Sequence, residues 1–269
     1  MLPVILGAGA VVGGLLLNKA SNNNERADRM NAKAFNRMGE AKRSLMAQTE
    51  KTQKSLTKLA NRKKGIMRTS IKSFVELYEQ IIKINLIEHG ADLEPVISSI
   101  TDDLPSMKQM VTVSGMAMTD RELIVTMLFS FHHGGILGSI LKDSEINMKV
   151  ASMRKRQANV IAAQSENEET VLKGIYEQAE AYSDLLAKMN LLLMKSIRHT
   201  RDIISANGND RSKYTENDYK SLMTCINLAK SVKTVVDASL FDEDGEISQA
   251  VREAMELGGK YLTEMGAVR

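Results

Sequence analysis

Residues 45–66 read Leu45-Met-Ala-Gln-Thr-Glu-Lys-Thr-Gln-Lys-Ser-Leu-Thr-Lys-Leu-Ala-Asn-Arg-Lys-Lys-Gly-Ile66. One row of this stretch holds Leu45, Thr49, Thr52, Leu56, Leu59, Lys63 and Ile66, in steps of three and four. The row begins further upstream, at Ala27, Met30, Ala34, Met38 and Ala41, with no proline and only Gly39 and Gly65 as weak points. That period predicts a long, coiled-coil-like helix whose paired four-residue steps interrupt a strict heptad. Ala and Thr make up much of the row, so little area is buried, and the helix needs a partner or the rest of the chain.

Downstream the pattern broadens. Ile66, Ile71, Phe74, Val75, Leu77, Tyr78, Ile81, Ile82, Ile84 and Leu86 cover a wide face that belongs in a globular core. His89-Gly90 is the expected stop, so one helix from 25 to 89 would run about 100 Å.

Composition supports an all-helical reading. Trp is absent, aromatics are 4%, Met numbers 17, and all three prolines lie at or before 105. Straight-chain residues keep their rotamer freedom in helices. The net charge of +3 conceals an asymmetry. Residues 19–72 carry fifteen Lys/Arg against four Asp/Glu, a local +11, which leaves −8 for the remainder. A basic arm is thus joined to an acidic body, and such an arm attracts anionic lipid or other phosphates. Nucleic acid is not the expected partner, because Phe35 is the only aromatic in 19–72 and no recognised binding motif occurs. Cys225 is the only cysteine, which excludes an intrachain disulfide.

Ahead of the arm, Leu2 to Leu17 is without charge. No Lys or Arg precedes the apolar run and no small-x-small site follows it, which disfavours a secretory signal. Gly7-x-Gly9-x-x-x-Gly13 is one residue longer than the dinucleotide fingerprint and lacks the second strand with its acidic end. A membrane helix is the remaining reading. Sixteen residues give about 24 Å, a little short of a ~30 Å hydrocarbon core, which bilayer thinning or snorkelling of Lys19 absorbs. The expected anchor residues are Leu2, Val4, Ile5, Leu6, Gly9, Val12, Gly13, Leu15, Leu16 and Leu17, with Gly9-x-x-x-Gly13 as a close-packing strip between two such helices. The basic residues that follow place the body in the cytoplasm. Lys19, Arg26, Arg29, Lys42, Arg43, Lys63 and Lys64 are the expected lipid-headgroup contacts.

In the body, residues 90–119 read as a connector with two prolines and a short strand at Met110-Val-Thr-Val-Ser-Gly115. Thr119-Asp-Arg-Glu122 matches a capping box. The uncharged run Leu123–Leu141 is interrupted by His132-His133-Gly134-Gly135, which predicts a buried hairpin of two short helices over 120–141 rather than a span. Adjacent histidines on a helix diverge by about a hundred degrees, so they do not chelate together. A second long helix is expected over 143–205. A turn follows at Asn207-Gly-Asn-Asp210, then a helix over 215–238 opened by Thr215-Glu-Asn-Asp218, and a last helix over 247–265. The acidic Asp242–Ser248 stretch fails as a calcium loop, since Leu240 and Val251 fall where oxygen ligands belong.

The expected organisation is a mainly α chain: an apolar membrane-anchor helix at 1–18, a basic coiled-coil stalk at 19–66 and a helical body at 67–269. No catalytic motif appears, so neither an enzyme nor a bound cofactor or metal is expected. The sequence points to a membrane-anchored scaffold or adaptor whose acidic cytoplasmic body self-associates or binds a protein partner. The alternative is an α-helical membrane-perforating protein, either a pore-forming toxin or a phage-type ejection component.

Overall fold

The computed structural model describes residues 24–84, 93–129, 165–242 and 245–266, with side chains described from Glu40 except Ala41, from Ile97 in the second segment and from Glu168 in the third. The expected anchor at 2–17, Lys19, the hairpin arm after 129 and residues 143–164 lie outside the described residues. All regular structure among the described residues is helical, and two isolated bridges, Phe129 with Phe241 and Phe241 with Ile247, are the only β pairings there.

Helix α1 (Asn24–Ile66) passes through a π-helical segment, Met67–Ile71, into α2 (Lys72–Lys83); the three stretches of 43, 5 and 12 residues run on without a break. At 1.5 Å per residue this helix is about 90 Å long. In the π segment the Lys72 amide reaches back to Met67 O, five residues earlier, as well as to Thr69 O. Upstream the buried row is narrow (Leu56, Leu59, Ala60, Lys63), and downstream it widens to Ile71, Phe74, Val75, Leu77, Tyr78 and Ile81. The helix ends at Lys83, short of the expected stop at His89-Gly90, with Ile84 as its C-cap.

The predicted connector is instead a helix, α3 (Leu93–Ser114), and the strand expected at 110–115 is its last turns. Ile97, Ile100, Met107, Met110 and Val113 are buried on one face at helical spacing. Pro95 sits in the first turn, where its missing amide costs nothing. Pro105 lies inside the helix. It removes one backbone donor. The neighbouring turn is held otherwise, by Thr101 Oγ1 donating to Ile97 O at 2.7 Å and by the Tyr78 hydroxyl on α2, 2.8 Å from Thr101 Oγ1. The contacts run antiparallel: Tyr78 meets Ile97 and Thr101, whereas Lys64 meets Met116 just beyond the α3 end.

Helix α4 (Asp120–Leu128) opens with the predicted capping box, in which Thr119 and Glu122 exchange side-chain-to-backbone bonds. Every residue from Leu123 to Phe129 is buried. Helix α5 (Ser165–Asn207) is the second long rod, and α6 (Glu216–Asp237) follows the turn at Gly208, whose φ of 65° favours glycine. Thr215 and Asp218, at the expected helix start, form a second capping box. The acidic Asp242–Ser248 stretch folds back through Gly245 at φ 81°, and Ser248 caps α7 (Gln249–Glu264) by accepting from the Val251 amide.

The pairing of α1 with α5 organises the rest. Ser44 meets Glu169, Ser55 and Lys58 meet Glu180, Arg62 meets Ser183, Ser70 meets Asn190 and Arg201 meets Ser73. Both chains advance together along this series, so the two rods are parallel. Helix α6 runs back against α5, since Tyr182 reaches Val235 whereas Thr200 lies beside Cys225. It is fixed to α3 by the Lys233–Asp103 ion pair at 3.1 Å, whose side chains are 17% and 22% exposed. Helix α7 covers α5 closely: a β-carbon on Gly258 would lie 2.9 Å from Leu185 Cδ2 and Met189 Sδ.

Candidate functional site

Three consecutive cations, Arg62-Lys63-Lys64, lie two-thirds of the way along the unbroken helix, and each grips backbone carbonyls of different elements. Arg62 Nη1 donates to Ser183 O of α5 at 2.6 Å. Lys63 Nζ donates to Met127 O of α4 at 2.9 Å and to Ala238 O, the C-cap of α6, at 2.6 Å. Lys64 Nζ donates to Met116 O between α3 and α4 at 2.8 Å. The last four carbonyls of a helix lack intrahelical donors and carry the negative end of its dipole, so a lysine is a fitting cap for them.

Lys63 is the centre of this hub. It is 0% exposed, and its Nζ lies 5.3 Å from the ring centroid of Tyr182, itself fully buried. The Tyr182 hydroxyl donates to Val235 O and, at 3.1 Å, to Ala238 O. One amine and one phenol thus satisfy carbonyls at the C-terminal end of α6, while the amine alone reaches α4. Burial pulls the Lys63 ammonium down from 10.5 to about 7, opposed by the nearby Asp237 carboxylate. Burial, with Asp237 adding to it, pushes the Tyr182 phenol far up, so it stays protonated and remains a donor. An amine titrating near neutrality has the basicity of a Schiff-base nucleophile. With no exposed surface and two carbonyls engaged, Lys63 acts here as a strut.

This overturns one expectation: Lys63 is no headgroup contact, because it faces the centre of the body. Lys64 is half-buried and committed to Met116 O. Lys42 and Arg43 are exposed on α1, as a surface role requires. Arg26 and Arg29 fall within α1 at positions whose side chains lie outside the description. The sequence does hold a signal for Lys63: it occupies the apolar row between Leu59 and Ile66. A four-carbon stem buries readily when its end finds acceptors.

Toward the N-terminal end of the rods, the basic face of α1 meets the acidic face of α5. Glu180 accepts from Ser55 and Lys58, both at 2.7 Å, and these bonds hold its carboxyl below the usual range, the Lys58 bond first. Arg62 also lies 3.9 Å from Asp184. Part of the basic arm is therefore neutralised within the chain.

Cys225 is buried, and burial raises its thiol, so it is not a reactive thiolate. No cluster of three or more His, Cys, Asp or Glu able to hold a metal ion occurs among the described residues. None of the described helices is long and apolar enough to cross a membrane. The chain matches no protein-family model, no curated protein and no solved structure.

Proposed function

We propose that this protein is a membrane-anchored helical scaffold, with residues 2–17 as the anchor and α1 as the rod that carries the body. The observation that carries this reading is the order of the chain. An uncharged run of sixteen residues and a basic stretch lead into a helix of about 90 Å, and the hub at Arg62–Lys64 fastens the body to that same helix. Any tether at the N-terminus is thereby connected to α3, α4, α5 and α6 through one continuous element. The outward cations Lys42 and Arg43 lie on the arm where an anionic surface would be met. The acidic remainder of the chain serves self-association or a protein partner.

The test is flotation of the full chain with vesicles containing phosphatidylserine, followed by carbonate extraction. The intact chain stays with the vesicles after carbonate, and a version lacking residues 1–18 does not. Lys42→Glu with Arg43→Glu weakens initial capture at low salt and leaves carbonate resistance unchanged. Recovery of the intact chain wholly in the aqueous fraction would defeat the reading. A second reading, a perforating protein, is favoured by one observation: the run Leu123–Phe129 is entirely sheltered in the body. Release of trapped dye from the vesicles would select it.

A further inference from the structure

We propose that Lys63 is a latch: by joining the C-terminal ends of α4 and α6 on α1, it keeps α4 closed over the body, and α4 detaches as a unit when that joint opens. The inference concerns how the fold opens and does not depend on the membrane reading.

The geometry places few polar ties on α4 apart from this joint. Its N-terminal end is capped within its own first turn by Thr119 and Glu122. Among the described residues its C-terminal end meets the Lys63 amine at Met127 O, the Phe241 amide donating to Leu128 O at 2.8 Å, and the Phe241 ring stacked on Phe129 with centroids 4.8 Å apart. Phe241 follows Ala238, the other carbonyl that Lys63 holds, by three residues. The amine therefore fixes both sides of the Phe129–Phe241 contact. Withdrawing it takes the donor from the Met127 carbonyl and leaves the Ala238 carbonyl to Tyr182 alone at the seam between α4 and the end of α6, while the apolar rows joining α1, α5 and α7 are untouched.

The groups facing Lys63 are the Tyr182 ring from α5, Asp237 and the Ala238 carbonyl from the end of α6, and the Met127 carbonyl from α4; Arg62 and Lys64 flank it on its own helix and point to Ser183 and Met116. In the closed state burial holds the amine near 7, and on opening it returns to its ordinary 10.5. Between these values the open form binds a proton that the closed form has shed. Opening is therefore opposed more strongly as pH rises through this window, and the dependence vanishes below its lower edge.

Hydrogen exchange on the full chain tests the latch, with the amides of α4, Phe129 and Phe241 as reporters and those of residues 44–56 in α1, which open locally without releasing Lys63, as reference. In Lys63→Met the reporters exchange about tenfold faster or more, as for a buried acceptor left unpaired, and the reference amides do not change. In the unmodified chain, reporter protection corrected for intrinsic exchange rises between pH 7 and 9, approaching about tenfold per pH unit, while the reference stays flat. The latch is overturned by unchanged or increased protection in Lys63→Met, by loss spread evenly over reporters and reference, or by a flat reporter profile in the unmodified chain. Should Lys63→Met not fold, the pH series on the unmodified chain decides alone: a slope confined to the reporters supports the latch, and its absence rejects it.

Discussion

The α1–α5 pair is built differently at its two ends. Between Ser44 and Lys58 the contact side chains buried against α5 are Thr52 and Ser55, joined by Leu56 at the margin, and the ties are hydroxyl and carboxylate bonds. Thr52 Oγ1 shares its proton between Gln48 O and Leu172 O, and Gln48 Nε2 is buried with no hydrogen-bond partner among the described residues. From Leu59 onward a continuous apolar packing joins the polar ties of Arg62, Ser70 and Arg201: Leu59, Met67, Ile71 and Phe74 on one side, Leu186, Met189, Leu193 and Ile197 on the other, all at or near 0% exposure. Net hydrogen-bond gains are about 1 kcal/mol each, whereas a fully buried Leu or Phe contributes about 1.5–3 kcal/mol. One pair of helices therefore has a firm end and a separable end.

The largest effect is expected at the firm end. Leu59→Ala removes a 0%-exposed side chain in contact with the core and costs about 2–5 kcal/mol in chemical denaturation, with the midpoint shifting and the slope unchanged. Gly258→Ala drives a methyl against the far ends of Leu185 and Met189. Because those ends are flexible, the cost is about 1–2 kcal/mol, read as a lower Tm. At the separable end, Ser55→Ala removes one of two bonds to Glu180 and costs about 0.5–1 kcal/mol, seen mainly as faster exchange of amides 44–56. If it destabilises the chain as much as Leu59→Ala does, the contrast between the ends is wrong.

Acid sharpens the same contrast. The Glu180 carboxyl is depressed by Lys58 and Ser55, so its contribution is complete above the ordinary glutamate value and is lost as pH falls through the folded one. Lys63 is protonated in both folded and unfolded chains at such pH and adds no slope. Exchange measured from pH 6 down to pH 3 should therefore loosen residues 44–58 before 59–81. The smallest effect belongs to Lys54→Ala, whose partner Glu50 is one turn away with both side chains largely in solvent. No measurable change in stability is expected from it.

Much of this was legible in the chain. The capping boxes at Thr119–Glu122 and Thr215–Asp218, the turn at Asn207–Asp210 and the broad face from Ile66 to Ile84 follow from side chains acting within a few residues of themselves; Ile82, expected on that face, is instead 51% exposed, off the buried row of Leu77, Tyr78, Ile81 and Ile84. Helix α3 was hidden by Pro95 and Pro105, which read as breaks although one sits in a first turn and the other is tolerated beside Thr101 and Tyr78. The row Ile97, Ile100, Leu104, Met107, Met110 carried the helical period all along. Of the expected contact residues, Lys42 and Arg43 lie at the surface, whereas Lys63 and Lys64 are drawn inward by carbonyls that no local pattern announces.

The sequence by itself determined that the described body is helical, where several helices start, and which face of each is apolar, because propensity, capping and periodicity are local. It could not determine that α1 lies parallel to α5, with carboxylates about 120 residues away waiting for its cations. Nor could it place Lys63 under the ends of α4 and α6. A periodic row specifies that a face must be covered, and a charge that it must be solvated or paired; only the tertiary arrangement supplies the cover and the partner.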